Sequence, residues 1–301
     1  MELLRTPDER FENLPDFPYS PHYLEVPAGD GANLRMHFLD EGPPDGPVAL
    51  LLHGEPSWSY LYRKMIPILV DAGLRAVAPD LPGFGRSDKP ADPGEYSYQR
   101  VVDWMAAFVM GIDLQGINLF CQDWGGLVGL RLVAEHGERF ERVIAANTGL
   151  PIGEPELPEA FKAWQKFATS SPIFPVQRII QSGTATKLPK PVLEAYAAPF
   201  PEKRYLVAAR TMPALVPTQL DDPAAAPNRL AWRKLMRWKK PFLTAFSDGD
   251  PITRGGEAAF QRLVPGAQGR QHPTIHGAAH FLQEDKGEEL AHLMVDFIHS
   301  T

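Results

Sequence analysis

Cys121-Gln122-Asp123-Trp124-Gly125-Gly126 follows an apolar run that includes Ile117, Leu119 and Phe120, and it precedes a stretch with helical spacing. The pattern predicts a strand that turns sharply into a helix, with Asp123 at the tip. In the G-x-S-x-G form of such an elbow, a strained turn lifts a serine above a sheet, beside backbone N–H groups that can hold an oxyanion. Here aspartate takes the serine's place. A serine attacking saturated carbon would form an ether that active-site water cannot readily cleave. A carboxylate forms an alkyl ester, which histidine-activated water can hydrolyse at its carbonyl. The elbow therefore points to displacement at an sp³ carbon. The plain alternative is an aspartate that only caps the next helix, and its partners must decide.

Outward from the elbow, Val48-Ala49-Leu50-Leu51-Leu52 is a continuous apolar run ending in His53-Gly54, as expected of a strand buried on both faces. Further runs at Leu74–Pro79, Ile117–Cys121, Val143–Asn147 and Phe242–Phe246 are separated by helical-length stretches. That rhythm predicts an α/β fold with a mostly parallel central sheet flanked by helices. A last strand is expected near Pro273–His276. A closing helix is expected over Glu288–Ile298, where Leu290, Leu293, Met294, Phe297 and Ile298 share a face. From Gly149 to about Asn228 the rhythm breaks into proline-rich sequence with short helix-like pieces at Glu159–Phe167 and Val192–Ala198. The expected organisation is a core of residues 1–148 and 229–301 with an inserted helical cap, 149–228, over the carboxyl ends of the strands.

A base is needed, and His280 in Gly277-Ala278-Ala279-His280-Phe281 lies on a loop after the last expected strand. The chain order nucleophile, acid, histidine then asks for a carboxylate after a late strand to orient the imidazole. Ser247-Asp248-Gly249-Asp250-Pro251 supplies Asp250, with Asp248 as a competitor or a turn-forming residue. An oxyanion site needs two convergent backbone N–H groups, expected from Trp124 and from Glu55 in His53-Gly54-Glu55-Pro56, although the latter also reads as an ordinary tight turn.

Composition bounds the rest. A chain of 301 residues, 44% apolar and 22% charged, can bury about 75% of its unfolded surface and needs neither disulfide nor metal to fold. Its single cysteine excludes an internal disulfide, and residues 1–10 lack the apolar core of a secretory signal, so the cytoplasm is the expected location. No run approaches the 18 or so apolar residues that span a bilayer. A net charge of -7 argues against nucleic acid or anionic lipid as a partner. Arg233, Lys234, Arg237, Lys239 and Lys240 read as a solvated helix face. A monomer is the expected state.

These residues resemble the haloalkane dehalogenases of the α/β-hydrolase fold over nearly the whole chain. The resemblance is carried by Arg5-Thr6-Pro7-Asp8, the segment from His53-Gly54-Glu55-Pro56-Ser57-Trp58 to Ile66-Pro67, Gly83 to Pro90, Gln122 to Gly126, and Gly277 to Glu284. It implies that Asp123 displaces halide from carbon, that His280 activates water to cleave the resulting ester, and that Asp250 supports His280, with no cofactor and no metal. It also implies two side-chain N–H donors for the halide, Trp124 and, from the cap, Trp164, with Trp232 as a substitute. The implied partners are a small neutral halogenated aliphatic, halide ion and water. A second branch of the family carries asparagine after the His-Gly pair and an acid after the strand ending near Asn147. Glu55 and Thr148 stand at those positions, which favours the tryptophan-pair branch.

Leu127, Phe161, Met212, Ile252 and Phe281 are expected to line an apolar pocket, though each also reads as plain core. Cys121 lies two residues before the elbow tip and is expected to pack inward. An epoxide hydrolase is the nearest alternative, with Tyr196 or Tyr205 as proton donors. A haloacetate dehalogenase would place arginine where Trp124 stands, and a binding protein that kept the pocket without turnover is a third reading.

Overall fold

Central strands buried on both faces are predominantly apolar, and the computed structural model, which describes residues 1–29, 31–154 and 157–301, shows this arrangement. Strands β1 (His22–Gly29), β2 (Ala32–Glu41), β3 (Val48–Leu52), β4 (Arg75–Pro79), β5 (Ile117–Gln122), β6 (Phe140–Ala146) and β7 (Phe242–Thr244) form one sheet in the order β1-β2-β4-β3-β5-β6-β7. Strand β2 runs antiparallel to β1 and β4, and the remaining pairs are parallel. Every residue of β3 and β5 is buried. Successive side chains point to opposite faces. Leu50 and Leu52 therefore enter one core cluster, with Val101, Trp104 and Val128, while Ala49 and Leu51 enter the other, with Ile66, Leu290 and Met294.

The helices are α1 (Ile66–Asp71), α2 (Tyr98–Gly111), α3 (Trp124–Glu135), α4 (Glu159–Ser170), α5 (Val176–Ser182), α6 (Lys190–Ala197), α7 (Val207–Leu215), α8 (Ala225–Leu235), α9 (Glu257–Leu263) and α10 (Leu282–His299). Among the described residues no helix is long and apolar enough to cross a membrane.

Several expected bounds shift for physical reasons. The β1–β2 hairpin was not anticipated, although Val26/Ala28 and Leu34/Met36/Phe38 alternate inward along it. The expected strand at Phe242–Phe246 breaks at Ala245, and Phe246–Ser247 (β8) instead pairs with Thr274–Ile275 (β9) as a separate two-residue ladder. That break steers the chain toward Asp250. The expected closing helix begins earlier, at Leu282, with a non-helical kink at Lys286, so it starts just after His280. The change-over expected at 228/229 falls inside α8, which is continuous from Ala225 to Leu235.

One buried network ties three of these parts together. Glu284, in the first turn of α10, receives two hydrogen bonds of 2.7 Å from Arg63 and one of 2.6 Å from the Tyr196 hydroxyl on α6. Burial opposes the Glu284 charge, but the Arg63 bonds outweigh it and hold the carboxyl down at about 2. A group depressed in the folded state contributes stability that is present above the ordinary carboxylate range and is lost as pH falls through its folded value. Glu284→Ala leaves the Arg63 guanidinium buried without its counterion, and the expected cost is about 3–5 kcal/mol. Denaturant titration at neutral pH checks this, and the difference from wild type should shrink as pH falls toward 2.

Candidate active site

Asp123 sits in the turn between β5 and α3 at φ 51° and ψ -125°. A non-glycine residue held there costs on the order of 1–3 kcal/mol and persists only when its neighbours enforce it. The enforcement is visible. Asp123 N–H donates to Asn147 O at 3.0 Å, while the Asp123 carbonyl accepts from Gly126 N, Leu127 N and the Thr148 hydroxyl at 2.9, 3.0 and 2.8 Å. Two glycines make the space. A Cβ on Gly125 would lie 2.0 Å from Leu52 O, and one on Gly54 would lie 2.5 Å from Asp123 Oδ1.

The Asp123 carboxylate meets two groups drawn from distant parts of the chain. Oδ1 accepts from the Glu55 backbone N–H at 2.7 Å, and Oδ2 lies 3.5 Å from His280 Nε2. Trp124 opens α3, so its N–H belongs to a first helical turn that has no intrahelical acceptors. On the far side of the imidazole, Nδ1 is 3.0 Å from Asp250 Oδ2, and Asp250 is fixed in turn by Ile252 N–H at 2.9 Å and the Thr253 hydroxyl at 2.5 Å. Asp248 is elsewhere, bonded to exposed His276 and to Gly277 N–H as a turn residue. Burial disfavours charge on Asp250, but the imidazolium outweighs it and brings the acid down to about 2. Burial likewise opposes the imidazolium, yet the Asp250 charge and the bonds to Asp123 and Asp250 raise His280 to about 10.

Above this triad lies a cavity of about 900 Å³ walled by the loops after the strands and by α4, α8 and α9. Leu127, Phe161, Ile252 and Phe281 line it, as do Trp124 and Trp164. Trp124 packs at a tilt against Tyr98, and Trp164 is stacked on Phe167 and tilted beside Phe174. Met212 does not line the cavity. It is fully buried in the main core cluster, and α7 reaches the cavity through Pro213, the next residue, which points roughly 100° away around the helix. Trp232 borders the cavity, but its indole N–H is engaged by Leu150 O at 2.8 Å, so it is not free for an anion. The Tyr196 hydroxyl is committed to Glu284, and the Tyr205 hydroxyl lies 3.5 Å from Arg5 O; neither side chain lines the cavity. Cys121 is buried, with its thiol pushed up by that burial and directed at Ile144 O.

A family model described as alpha/beta hydrolase fold matches residues 47–287. A haloalkane dehalogenase from Psychrobacter cryohalolentis is 57% identical over 99% of both chains, and haloalkane dehalogenase 1 from Mycobacterium tuberculosis is 50% identical over the full length of both. The chain belongs to the haloalkane dehalogenase family. Among solved structures of that family, the tetrameric haloalkane dehalogenase DpaA from Paraglaciecola agarilytica superposes with a TM-score of 0.88 at 39% identity, covering 97% of each chain.

Within this family frame, three contributors to the site were not singled out from the sequence. Gln122 sends its amide N–H to His280 O at 3.2 Å, with Nε2 of the imidazole equally close, and Asn147 donates to the same carbonyl at 3.1 Å. Together with Thr148 they hold the nucleophile and the histidine in one frame. Gln122 and Asn147 share a signal, since each is a polar residue directly after a short apolar stretch, Leu119–Cys121 and Val143–Ala146. Because a Gly54 side chain would collide with Asp123, Gly54→Ala is expected to lower kcat/KM by about 100-fold, the usual effect of misplacing a reacting group by an ångström. Steady-state kinetics check this, with a thermal melt to show that the fold is kept.

Proposed function

We propose that the chain hydrolyses the carbon–halogen bond of neutral haloalkanes to give alcohol, halide and a proton, a reading that fits relatives named haloalkane dehalogenase. The carrying observation is a carboxylate on the elbow, one face held by a backbone N–H and the other open to an apolar cavity where His280 and two indoles converge.

In the first step the free oxygen of Asp123 attacks the carbon that bears the halogen. A C–O bond forms, the C–X bond breaks, and the bonding pair leaves with the halide. Trp124 and Trp164 receive that anion through their indole N–H groups, each bond contributing about 1.5–3 kcal/mol. In the second step water loses a proton to His280 Nε2 and adds to the Asp123 carbonyl carbon. The oxyanion that develops is held by the Glu55 N–H, with the Trp124 N–H as the second donor; loss of one such donor costs about 2.7–4 kcal/mol. Collapse expels the alcohol oxygen, which takes the proton held on His280 Nε2 and leaves as the alcohol, and loss of the second water proton to solvent restores the carboxylate.

Asp123 also controls when His280 can act. While ionised it helps hold the imidazole proton, and esterification removes that charge. His280 then gives up its proton more readily and becomes a base at the stage that needs one. Segment 149–228 acts as the cap that walls the cavity and excludes bulk water from both steps.

Wild-type protein should release bromide from 1-bromobutane or 1,2-dibromoethane, and Asp123→Asn should not. His280→Gln should complete displacement and stall, so intact mass shows one alkyl adduct. Unmodified His280→Gln protein after long incubation would contradict the division of roles.

A further inference from the structure

Glu55 enters the proposed mechanism only through its backbone, yet its side chain is the least conventional feature of the cavity. The residue is 3% exposed and lines the cavity, and its Oε1 has no hydrogen-bond partner. Asp123, from the elbow, faces it with like charge. His280, from the loop before α10, faces it with opposite charge, and Trp164 on α4 lines the same cavity, near enough to favour the carboxylate slightly. The guanidinium nearest in sequence, Arg63, is spent on Glu284. A buried carboxylate with a carboxylate neighbour and no cation of its own is strongly disfavoured, so Glu55 stands as the neutral acid. Burial, then Asp123, drives it well above the ordinary carboxylate range, against smaller opposing effects of His280 and Trp164.

A neutral acid carries an O–H donor and no charge, and it leaves the Trp164 N–H available to another acceptor. The ionised form is an anion beside the place where a second anion must sit, and it competes for that same N–H. We propose that the Glu55 side chain is a proton-linked halide-positioning group: as the acid it supplies a third donor and frees Trp164, and as the carboxylate it captures Trp164 and expels the anion. The inference rests on the halide-site reading of Trp124 and Trp164. It makes halide occupancy, and therefore product release, depend on a proton that is neither on the nucleophile nor on its base.

The test is sodium bromide binding, followed by quenching of tryptophan fluorescence from pH 6 to pH 10, in wild type, Glu55→Gln and His280→Gln. In wild type, bromide affinity should fall about tenfold per pH unit above the point where Glu55 loses its proton. Glu55→Gln, which keeps a donor but cannot ionise, should lack that fall. His280→Gln should retain it, because the imidazole is not its source. A fall that persists in Glu55→Gln, or that disappears in His280→Gln, overturns the proposal. Should Glu55→Gln not fold, Glu55→Met, which likewise cannot ionise, takes its place and should also lack the fall. Absence of quenching in all three folded proteins removes the halide site itself, a result distinct from a halide site with no Glu55 dependence.

Discussion

A carboxylate held in the wall of an apolar cavity is the constraint on which the rest of the structure depends. An ion there loses hydration and must be compensated by fixed partners. Asp123 has the Glu55 N–H on one oxygen, the N-terminus of α3 beneath it and His280 on the other oxygen. Each partner is anchored by something else. Asp250 orients the imidazole, Gln122 and Asn147 hold the loop that carries it, and the Arg63–Glu284–Tyr196 network joins the Glu55 loop, α10 and the inserted helices. The strain at the elbow is tolerable because backbone bonds and glycine-sized gaps leave Asp123 no other place.

The electrostatics are sequential. One imidazole lies between two carboxylates, 3.5 Å from Asp123 and 3.0 Å from Asp250, and in the proposed mechanism it gives up its proton once one of them is esterified. Conversion of one carboxylate to an ester changes the field at the histidine without any movement of the chain. A single arrangement can in this way serve first a nucleophile and then a base. In the proposed mechanism the tryptophans matter for a different reason, since a departing anion in a dry cavity needs donors that bring no competing charge.

Much of this was legible in the sequence because it is local. Strand β3 is a continuous apolar run and β5 is apolar apart from Asn118 and its terminal Gln122, and the elbow, the Asp250 loop and the His280 loop each follow a strand end. What was not legible depends on packing. Whether Met212 or Pro213 faces the cavity is decided by the rotation of α7, which no spacing encodes. The break at Ala245 and the short β8–β9 ladder come from pairing between segments far apart in the chain. The preference for Trp164 over Trp232 came from resemblance, and its physical ground, the Leu150 carbonyl that engages the Trp232 indole, appears only in the fold.

The central claim, that Asp123 bonds covalently to the substrate carbon, is tested most directly by turnover in oxygen-18 water followed by mass analysis of the alcohol and of the peptide that carries Asp123. With enzyme in excess over 1-bromobutane, the account predicts ordinary oxygen in the alcohol and a heavy oxygen in the Asp123 carboxylate. Heavy oxygen in the alcohol, with an unlabelled peptide, would mean that water attacks the substrate carbon itself and would contradict the account.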